Sequence, residues 1–187
     1  MDERSKRIID TAIELATRDG YAAVRLREVA ARAKVALGTV YKRFDSKEQI
    51  LVAAMMQEGE RLLTDFGAVP GETPAERAIG FFEVATSHFT RRPKLGKAIL
   101  RAIAAGEGMT ERVASLHALT TAMLVAAIGG HPPTEHREWG GDVDADVREI
   151  AQILQQVWFA ALVGWAGDAF DADEVVEQVA RAARRML

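Results

Sequence analysis

The sequence contains no cysteine, and this absence excludes several kinds of chemistry. Without a thiol the chain has no disulfide, no cysteine nucleophile and no thiolate metal site. Aromatic residues are also scarce, at 6% of the 187 residues, although 49% of the residues are hydrophobic. Because alanine supplies much of that hydrophobic share, the composition favours helices over strands.

Long apolar segments are missing as well. No run approaches the roughly 18 consecutive apolar residues that a membrane-spanning helix needs. The opening residues, "MDERSKRIIDTAIEL", are rich in charge and lack the apolar core and cleavage site of a signal peptide. We therefore expect a soluble cytoplasmic protein with no membrane partner.

Charge is unevenly distributed along the chain. The net charge is −3, but residues 1–50 contain 11 Lys and Arg against 8 Asp and Glu. The remaining residues carry a balance of −6. A basic N-terminal segment on an acidic body is the pattern expected of a protein that meets a polyanion with that segment only.

Apolar periodicity predicts nine helices and no strand, which is an all-α fold. Three helix starts carry a capping pattern, in which a Ser, Thr or Asp is followed three residues later by Gln or Glu. The three pairs are Ser46–Gln49, Thr73–Glu76 and Asp171–Glu174.

The second and third predicted helices are short and are joined only by Ala33, Lys34 and Val35. Two short helices with a turn of this length form a helix-turn-helix, whose second helix lies in the major groove of DNA. Lys34 stands in the turn where a positive φ is needed, and Ala36 has no side-chain oxygen to cap the third helix. These are two departures from an ideal motif.

The outward side of the third helix carries residues suited to DNA. Its members are Leu37, Gly38, Thr39, Tyr41, Lys42 and Arg43. The hydroxyls of Thr39 and Tyr41 can reach phosphate oxygens, and Leu37 can meet a thymine methyl group. Gly38 removes a side chain where the backbone can approach DNA closely.

Four further positions complete the predicted DNA-contacting set: Arg25, Arg27, Ala36 and Lys47. Arg43 can pair with guanine and Lys42 supplies charge. Lys47, in the first turn of the next helix, can add a phosphate contact beside that helix's N–H groups. A generic three-helix cluster with a solvated basic face is the alternative.

The stretch "REVAARAKVALGTVYKRFDSKE", with its ending Tyr-x-x-Phe-x-Ser-Lys-Glu, resembles the N-terminal domain of the tetracycline-repressor (TetR) family. Three positions depart from the family's usual pattern. Arg25 replaces a Thr or Ser before the second helix, Lys34 replaces the Gly of the turn, and Ala36 replaces the Ser that caps the third helix. The resemblance covers about a quarter of the chain. It implies a helix-turn-helix DNA-binding domain over residues 1–47 and a helical ligand-binding and dimerisation domain over residues 48–187.

Members of this family are homodimers whose last two helices form the interface, so the resemblance implies a roughly palindromic double-stranded DNA operator. The stretch "ILQQVWFAALVGWAG" supports a second partner surface independently, because it is apolar on almost every side. A central helix buried within a monomer is the alternative. The predicted interface residues are Gln155, Phe159, Leu162, Val163, Val176 and Val179.

The resemblance also implies a small hydrophobic effector, with no cofactor. "LVAAM" and "LQQVWFAALVGWAG" are similar to the branch of the family that contains the steroid-catabolism repressor, which implies an acyl-CoA or a lipid or steroid catabolite. Such a ligand would move the fourth helix and weaken operator binding. The predicted lining residues are Met55, Phe81, Phe82, Phe89, Leu100, Met109, Met123 and Trp158.

An enzyme and a storage protein are the alternatives to a regulator. His131 and His136 lie in a Gly- and Pro-rich segment rather than one turn apart on a helix, so they do not form a zinc motif. No nucleophile–base pair is recognisable, and we expect no catalytic or metal-binding residue. A protein that only stores a hydrophobic molecule would leave the basic face of residues 37–43 unexplained. Ligand-dependent activation is the alternative to repression.

Overall fold

The computed structural model describes residues 2–65, 69–105, 110–132 and 144–187, and within them all side chains except those of 60–65, 110 and 112. This part of the chain forms nine α-helices and no strand, which confirms the predicted all-α fold. The helices are α1 (Glu3–Asp19), α2 (Leu26–Arg32), α3 (Leu37–Tyr41), α4 (Lys47–Asp65), α5 (Pro74–Thr90), α6 (Pro93–Ala104), α7 (Thr110–Gly129), α8 (Ala145–Ala166) and α9 (Ala172–Met186). None of the described helices is both long enough and apolar enough to cross a membrane.

Two compact units are assembled from segments that are not contiguous in sequence. Unit 1 contains Met1–Gly59 and Arg91–Ala114, and unit 2 contains Glu60–Thr90 and Ser115–Leu187. Unit 1 therefore includes α1 to α3, the first part of α4, and α6, which packs on α1. The predicted boundary after residue 47 separates a DNA-binding domain from a ligand-binding and dimerisation domain by function. It stays a prediction.

Helix α1 is capped at both ends by its own sequence. The Asp2 carboxylate accepts the Ser5 N–H at 2.8 Å, which satisfies a backbone donor of the first turn. Gly20 ends the helix with a φ of 79°, a conformation that glycine adopts without a Cβ clash. Between these caps the helix buries an apolar face that includes Ile8 and Ile9.

Helices α2 and α3 form the predicted helix-turn-helix within unit 1. The two helices pack on each other, and Val29 and Val40 are completely buried. Lys34, in the turn, has a φ of 55°, as its position predicts. A lysine in this left-handed conformation costs on the order of 1 kcal/mol. Ala36 precedes α3 without a side-chain hydrogen bond to its first turn, also as predicted.

Unit 2 is built around α9, which packs on both α5 and α8. The predicted capping boxes begin α5 and α9. In each, the capping side chain accepts the backbone N–H of the glutamate three residues later, and the glutamate side chain accepts the backbone N–H of the capping residue. At α4 the Ser46 hydroxyl accepts the Gln49 N–H, as the pattern predicts, and the Gln49 side chain accepts the N–H of Asp45. The Arg77 guanidinium donates to two carbonyls in the last turn of α7, where a positive charge complements the helix dipole.

Gly164 allows the turn after α8 to fold back on that helix. A Cβ at Gly164 would lie 2.3 Å from the Cδ2 atom of Phe170, whereas a Cβ at Gly167 would meet no atom closer than 3.6 Å. Gly164→Ala is therefore expected to lower the free energy of unfolding by about 1–2 kcal/mol, because the phenyl ring must move. Gly167→Ala is the matched control and should stay within about 0.5 kcal/mol of wild type in urea unfolding. Equal losses in the two variants would contradict the packing role of Gly164.

Candidate nucleic-acid interface

The outer side of α3 is open to solvent. Tyr41 is 54% exposed, Lys42 and Gly38 are exposed, and Thr39 is half-buried. The side chains of Tyr41 and Lys42 form no hydrogen bond or ion pair with the described part of the chain. Val40, on the inner side, is 0% exposed and anchors the helix in unit 1. The helix therefore presents a face with a free hydroxyl and a free ammonium group.

Gly38 gives this face a strip of bare backbone. A Cβ at Gly38 would meet nothing within 4 Å, so an alanine fits in the free protein. Gly38→Ala is expected to raise the free energy of unfolding by up to about 1 kcal/mol, because alanine favours helix over glycine. The same variant should bind operator DNA about ten-fold more weakly, because its methyl group stands between the backbone and the groove. A Gly38→Ala protein that gained stability in chemical unfolding and kept its DNA affinity would contradict this role.

The remaining predicted contacts lie at the helix starts of the motif. Arg25 is the exposed residue before α2, and Arg27 is exposed on its first turn. Ala36 is exposed before α3, and Leu37 is half-buried at its first position. Contacts of these residues with DNA stay predictions.

Lys47 has an aromatic neighbour that the sequence did not indicate. Its ammonium lies 3.8 Å from the centre of the Tyr21 ring, and the Arg101 guanidinium lies 4.5 Å from the same centre. The Tyr21 hydroxyl donates to Glu48, and burial together with this bond raises the pKa of Tyr21. Burial pushes the pKa of Glu48 upward, but hydrogen bonds from Tyr21 and the backbone outweigh it and lower the pKa. A phosphate contact of Lys47 would therefore compete with this cluster.

Arg43, also predicted to contact DNA, has two polar partners within unit 1. Its Nη2 donates to the Asp2 carboxylate at 2.8 Å, its Nε donates to the Ser5 hydroxyl at 3.0 Å, and its side chain is only 22% exposed. These bonds connect the segment after α3 with the start of α1. Pairing of Arg43 with guanine would require them to break, because they use the same guanidinium.

The Asp2 carboxyl group gives this contact a measurable signature. The Ser5 N–H and the Arg43 guanidinium lower the pKa of Asp2 from 3.8 to about 2. Because the pKa is lower in the folded state, the contact stabilises the fold above the unfolded pKa and is lost as the pH falls toward about 2. A carbon-detected NMR titration should give a midpoint near 2 for wild type and a higher midpoint for Arg43→Gln. A wild-type midpoint at 3.8 would contradict the contact.

Predicted ligand-lining residues of unit 2 form a buried aromatic cluster. The ring centres of Phe82 and Phe89 lie 5.6 Å and 5.8 Å from that of Trp158. All three rings are buried. The Trp158 indole N–H donates to the Thr86 hydroxyl at 2.9 Å. A buried indole needs an acceptor, but the sequence alone did not indicate which residue supplies it.

The other predicted lining residues fall in both units. Phe81 and Met123 are buried in unit 2. Leu100 is buried and Met55 half-buried in unit 1. Met109 lies outside the described residues. A common chamber for this set stays a prediction.

A groove of about 560 Å³ lies between α5 and α9. Its lining combines apolar side chains with three carboxylates and one guanidinium. These residues are Ile79, Val176, Ala172, Ala180, Thr86, Ser87, Thr90, Glu83, Asp173, Glu177 and Arg184. The excess of negative charge disfavours an anionic occupant. Among the described residues, no group of three His, Asp or Glu side chains is placed to hold a metal ion, in this groove or elsewhere.

Three of the six predicted dimer residues are buried within unit 2. Gln155, Leu162 and Val179 are 5%, 1% and 0% exposed, so they have almost no surface left to bury against a second copy. Gln155 accepts a hydrogen bond from the Thr121 hydroxyl and contacts His117 Nδ1, both at 2.8 Å. Their burial follows from the packing of α8 and α9 within unit 2. An apolar sequence pattern does not distinguish this packing from packing against a partner.

The other three predicted dimer residues keep accessible surface. Val163 is 47% exposed on α8, and Phe159 on α8 and Val176 on α9 are half-buried. Ile153, one of the apolar positions of α8, is 38% exposed. An apolar surface on α8 therefore remains uncovered in the single chain.

Known proteins resemble this chain over nearly its whole length. The profile of bacterial regulatory proteins of the tetR family matches residues 8–54, and that of the tetracyclin repressor-like C-terminal domain matches residues 71–186. The HTH-type transcriptional repressor KstR of Mycobacterium tuberculosis is 33% identical over 188 residues, covering 99% of this chain and 81% of that protein. KstR of Rhodococcus jostii is 33% identical, covering 95% of this chain and 79% of that protein.

Solved structures share the fold. A TetR transcriptional regulator from Rhodococcus sp. RHA1 superposes with a TM-score of 0.83 at 25% identity, covering 98% of this chain and 94% of that one. Thermus thermophilus FadR, a TetR-family transcriptional repressor, superposes with a TM-score of 0.65 at 24% identity, over 98% of this chain and 94% of that one. The chain therefore belongs to the tetR family of bacterial regulatory proteins, and with its helix-turn-helix it is a DNA-binding transcriptional regulator.

Proposed function

We propose that this protein is a repressor that binds a roughly palindromic operator as a homodimer and leaves it when a hydrophobic small molecule binds. The single observation that carries the proposal is the outer face of α3, where Tyr41, Lys42 and Gly38 are exposed within a helix-turn-helix. Repression rather than activation is proposed because the relatives that span the chain are named transcriptional repressors. We expect the protein to act in the cytoplasm, where its operator would lie.

The homodimer is proposed from the exposed side of α8. Ile153, Ala160 and Val163 are exposed, and their spacings of seven and three residues place them on one side of the helix. A second copy would cover this apolar stripe, and Ala160 would allow the two backbones to approach closely. Two recognition helices would then face successive major grooves about 34–36 Å apart.

The proposed effector is an acyl-CoA or another lipid or steroid catabolite. Thermus thermophilus FadR was solved with lauroyl-CoA and Bacillus subtilis FadR with stearoyl-CoA, so proteins of this fold hold such molecules. The aromatic cluster around Trp158 offers an apolar environment for the acyl or ring portion. The groove between α5 and α9 is the poorer site, because Glu83, Asp173 and Glu177 would repel the phosphates of CoA.

Release from DNA is proposed to pass through α4. This helix is continuous from Lys47, directly after the helix-turn-helix, to Asp65 in unit 2. A coupling free energy of about 1–3 kcal/mol, typical of allosteric proteins, would weaken operator binding about 5- to 150-fold.

Titration of the protein–operator complex with lauroyl-CoA tests the proposal. The protein is bound to a fluorescent duplex that carries its selected site, and CoA and laurate serve as controls. We expect lauroyl-CoA to weaken binding within the range given above, and we expect the affinity to fall steeply with salt because phosphates are neutralised. Binding of lauroyl-CoA without any binding of duplex would favour the storage protein instead. Duplex binding that no acyl-CoA or steroid thioester weakens would contradict the proposed effector class.

A further inference from the structure

We propose that Arg43 is a positioning residue for DNA binding: it fastens the recognition helix to α1 through Asp2 and Ser5, and it does not read a base. This inference rests on the proposed function, because it concerns how the same α3 face meets an operator. It assigns base and phosphate contacts to the exposed residues of α3 and gives the first residues of the chain a role in DNA recognition.

The recognition helix needs support from outside itself. It spans only five residues, Leu37–Tyr41, and its capping position is an alanine without a side-chain hydrogen bond. A helix this short is not stable alone, so tertiary contacts must hold it. Val40 supplies such a contact on the inner side, where it is 0% exposed. Arg43 supplies another just beyond the C-terminal end.

The geometry of Arg43 suits a brace between two elements. The guanidinium donates through two different nitrogens to two residues, at 2.8 Å to Asp2, which caps α1, and at 3.0 Å to Ser5 in the first turn of α1. Two separate bonds fix the orientation of a planar guanidinium better than one does. The Arg43 side chain is 22% exposed and that of Asp2 is 56% exposed, so water screens the pair on the carboxylate side and its contribution to stability stays small.

Asp2 is itself held in place for this contact. One carboxylate oxygen accepts the Ser5 N–H at 2.8 Å as the cap of α1, and the other accepts from Arg43. The cap therefore aims the second oxygen at Arg43. Helix α1 in turn belongs to the core of unit 1, with Ile8 and Ile9 buried. The end of the recognition helix is thereby tied to a rigid part of the unit.

A double-mutant cycle on operator binding tests the brace. Asp2→Asn removes the charge that attracts Arg43 but keeps a good capping side chain, since asparagine caps helices as well as aspartate does. Arg43→Gln removes the guanidinium. Arg18→Ala is the control, because it removes an exposed Arg–Asp pair between neighbouring residues, at the opposite end of α1. Selection from a randomised duplex library gives the base preferences of each protein, and thermal unfolding verifies that each is folded.

We expect Asp2→Asn and Arg43→Gln each to weaken binding of the selected duplex about three- to ten-fold. The double variant should bind the duplex as tightly as the single variant of lower affinity. The base preferences should equal those of wild type in all three. Arg18→Ala should bind as wild type does. An unbraced α3 docks less well on every sequence, so affinity falls without a change in preference.

Several outcomes would overturn the brace. Relaxed preference at a symmetric pair of operator positions in Arg43→Gln alone would mean that Arg43 reads a base. Tighter binding by Asp2→Asn would mean that Asp2 competes with DNA for Arg43. Additive losses, or no loss in either variant, would also contradict it. Failure of the wild-type protein to enrich any duplex is a different result, because it would overturn the proposed function itself.

Discussion

Replacing Tyr41 and Lys42 together by alanine is expected to weaken operator binding about 30- to 1000-fold, if each residue supplies a DNA contact of about 1–2 kcal/mol. Both side chains are exposed on α3, and neither has a hydrogen-bond or ion-pair partner in the described part of the chain. Their truncation therefore removes little that stabilises unit 1. The helical signal, the melting temperature and the dimer should stay close to those of wild type.

Fluorescence anisotropy of labelled operator over a range of salt concentrations measures this effect. Because one ammonium is removed, the slope of log affinity against log salt should become shallower by about one. Lys94→Ala is the charge-matched control: Lys94 is an exposed lysine of the same unit, on α6, that donates to the Arg18 carbonyl. It should leave operator affinity nearly unchanged. Equal affinity of the double variant and wild type would show that α3 does not carry the DNA contacts.

Replacing Arg92 by methionine is expected to lower the free energy of unfolding by about 1.5–3 kcal/mol, because it removes a charge-assisted hydrogen bond from a buried carboxylate. Arg92, at the start of α6, forms an ion pair with Glu58 on α4. The Glu58 side chain is 5% exposed and that of Arg92 is 34% exposed, so the expected loss is placed below the upper end for fully buried pairs.

A second substitution should reverse most of this loss. In Glu58→Gln/Arg92→Met the buried group is a neutral amide, which costs less to bury than a carboxylate. We expect the double variant to lie within about 1 kcal/mol of wild type in urea unfolding. Arg32→Met serves as the control for loss of an arginine from an exposed pair, since Arg32 and Glu28 are 37% and 45% exposed. A double variant less stable than Arg92→Met would contradict burial of the charge as the cause.

Local features of the fold could be predicted from sequence because they depend on neighbouring residues. Capping boxes need only two side chains three residues apart, and the structure confirms those at Thr73–Glu76 and Asp171–Glu174. The strained turn at Lys34 follows in the same way from the length of the connection between α2 and α3. The arrangement of the helices into two domains was predicted only from the family resemblance.

Long-range contacts could not be predicted in this way. Arg43 and Asp2 are 41 positions apart, and nothing in the pattern of either segment shows that they meet. Tyr21 and Arg101 are 80 positions apart and come together because α6 packs on α1 and the segment that follows it. Apolar periodicity shows which faces are buried but not what covers them.

Helix α8 illustrates the same limit for the dimer. Its sequence is apolar on most sides, so the pattern predicts two covered surfaces without separating them. In the structure Leu162 is buried within the chain, whereas Val163 beside it is 47% exposed. Only the packing of α9 and its neighbours decides which of the two is available to a partner.

The most direct test of the account is a selection of genomic DNA fragments by the purified protein, read by sequencing. The wild-type protein is first extracted to remove bound small molecules, and the Tyr41→Ala/Lys42→Ala variant is run in parallel. We expect the wild-type protein to enrich fragments that share a palindromic site and the variant to enrich none. Absence of enrichment by the extracted wild type, or the same enriched site with the variant, would contradict that expectation.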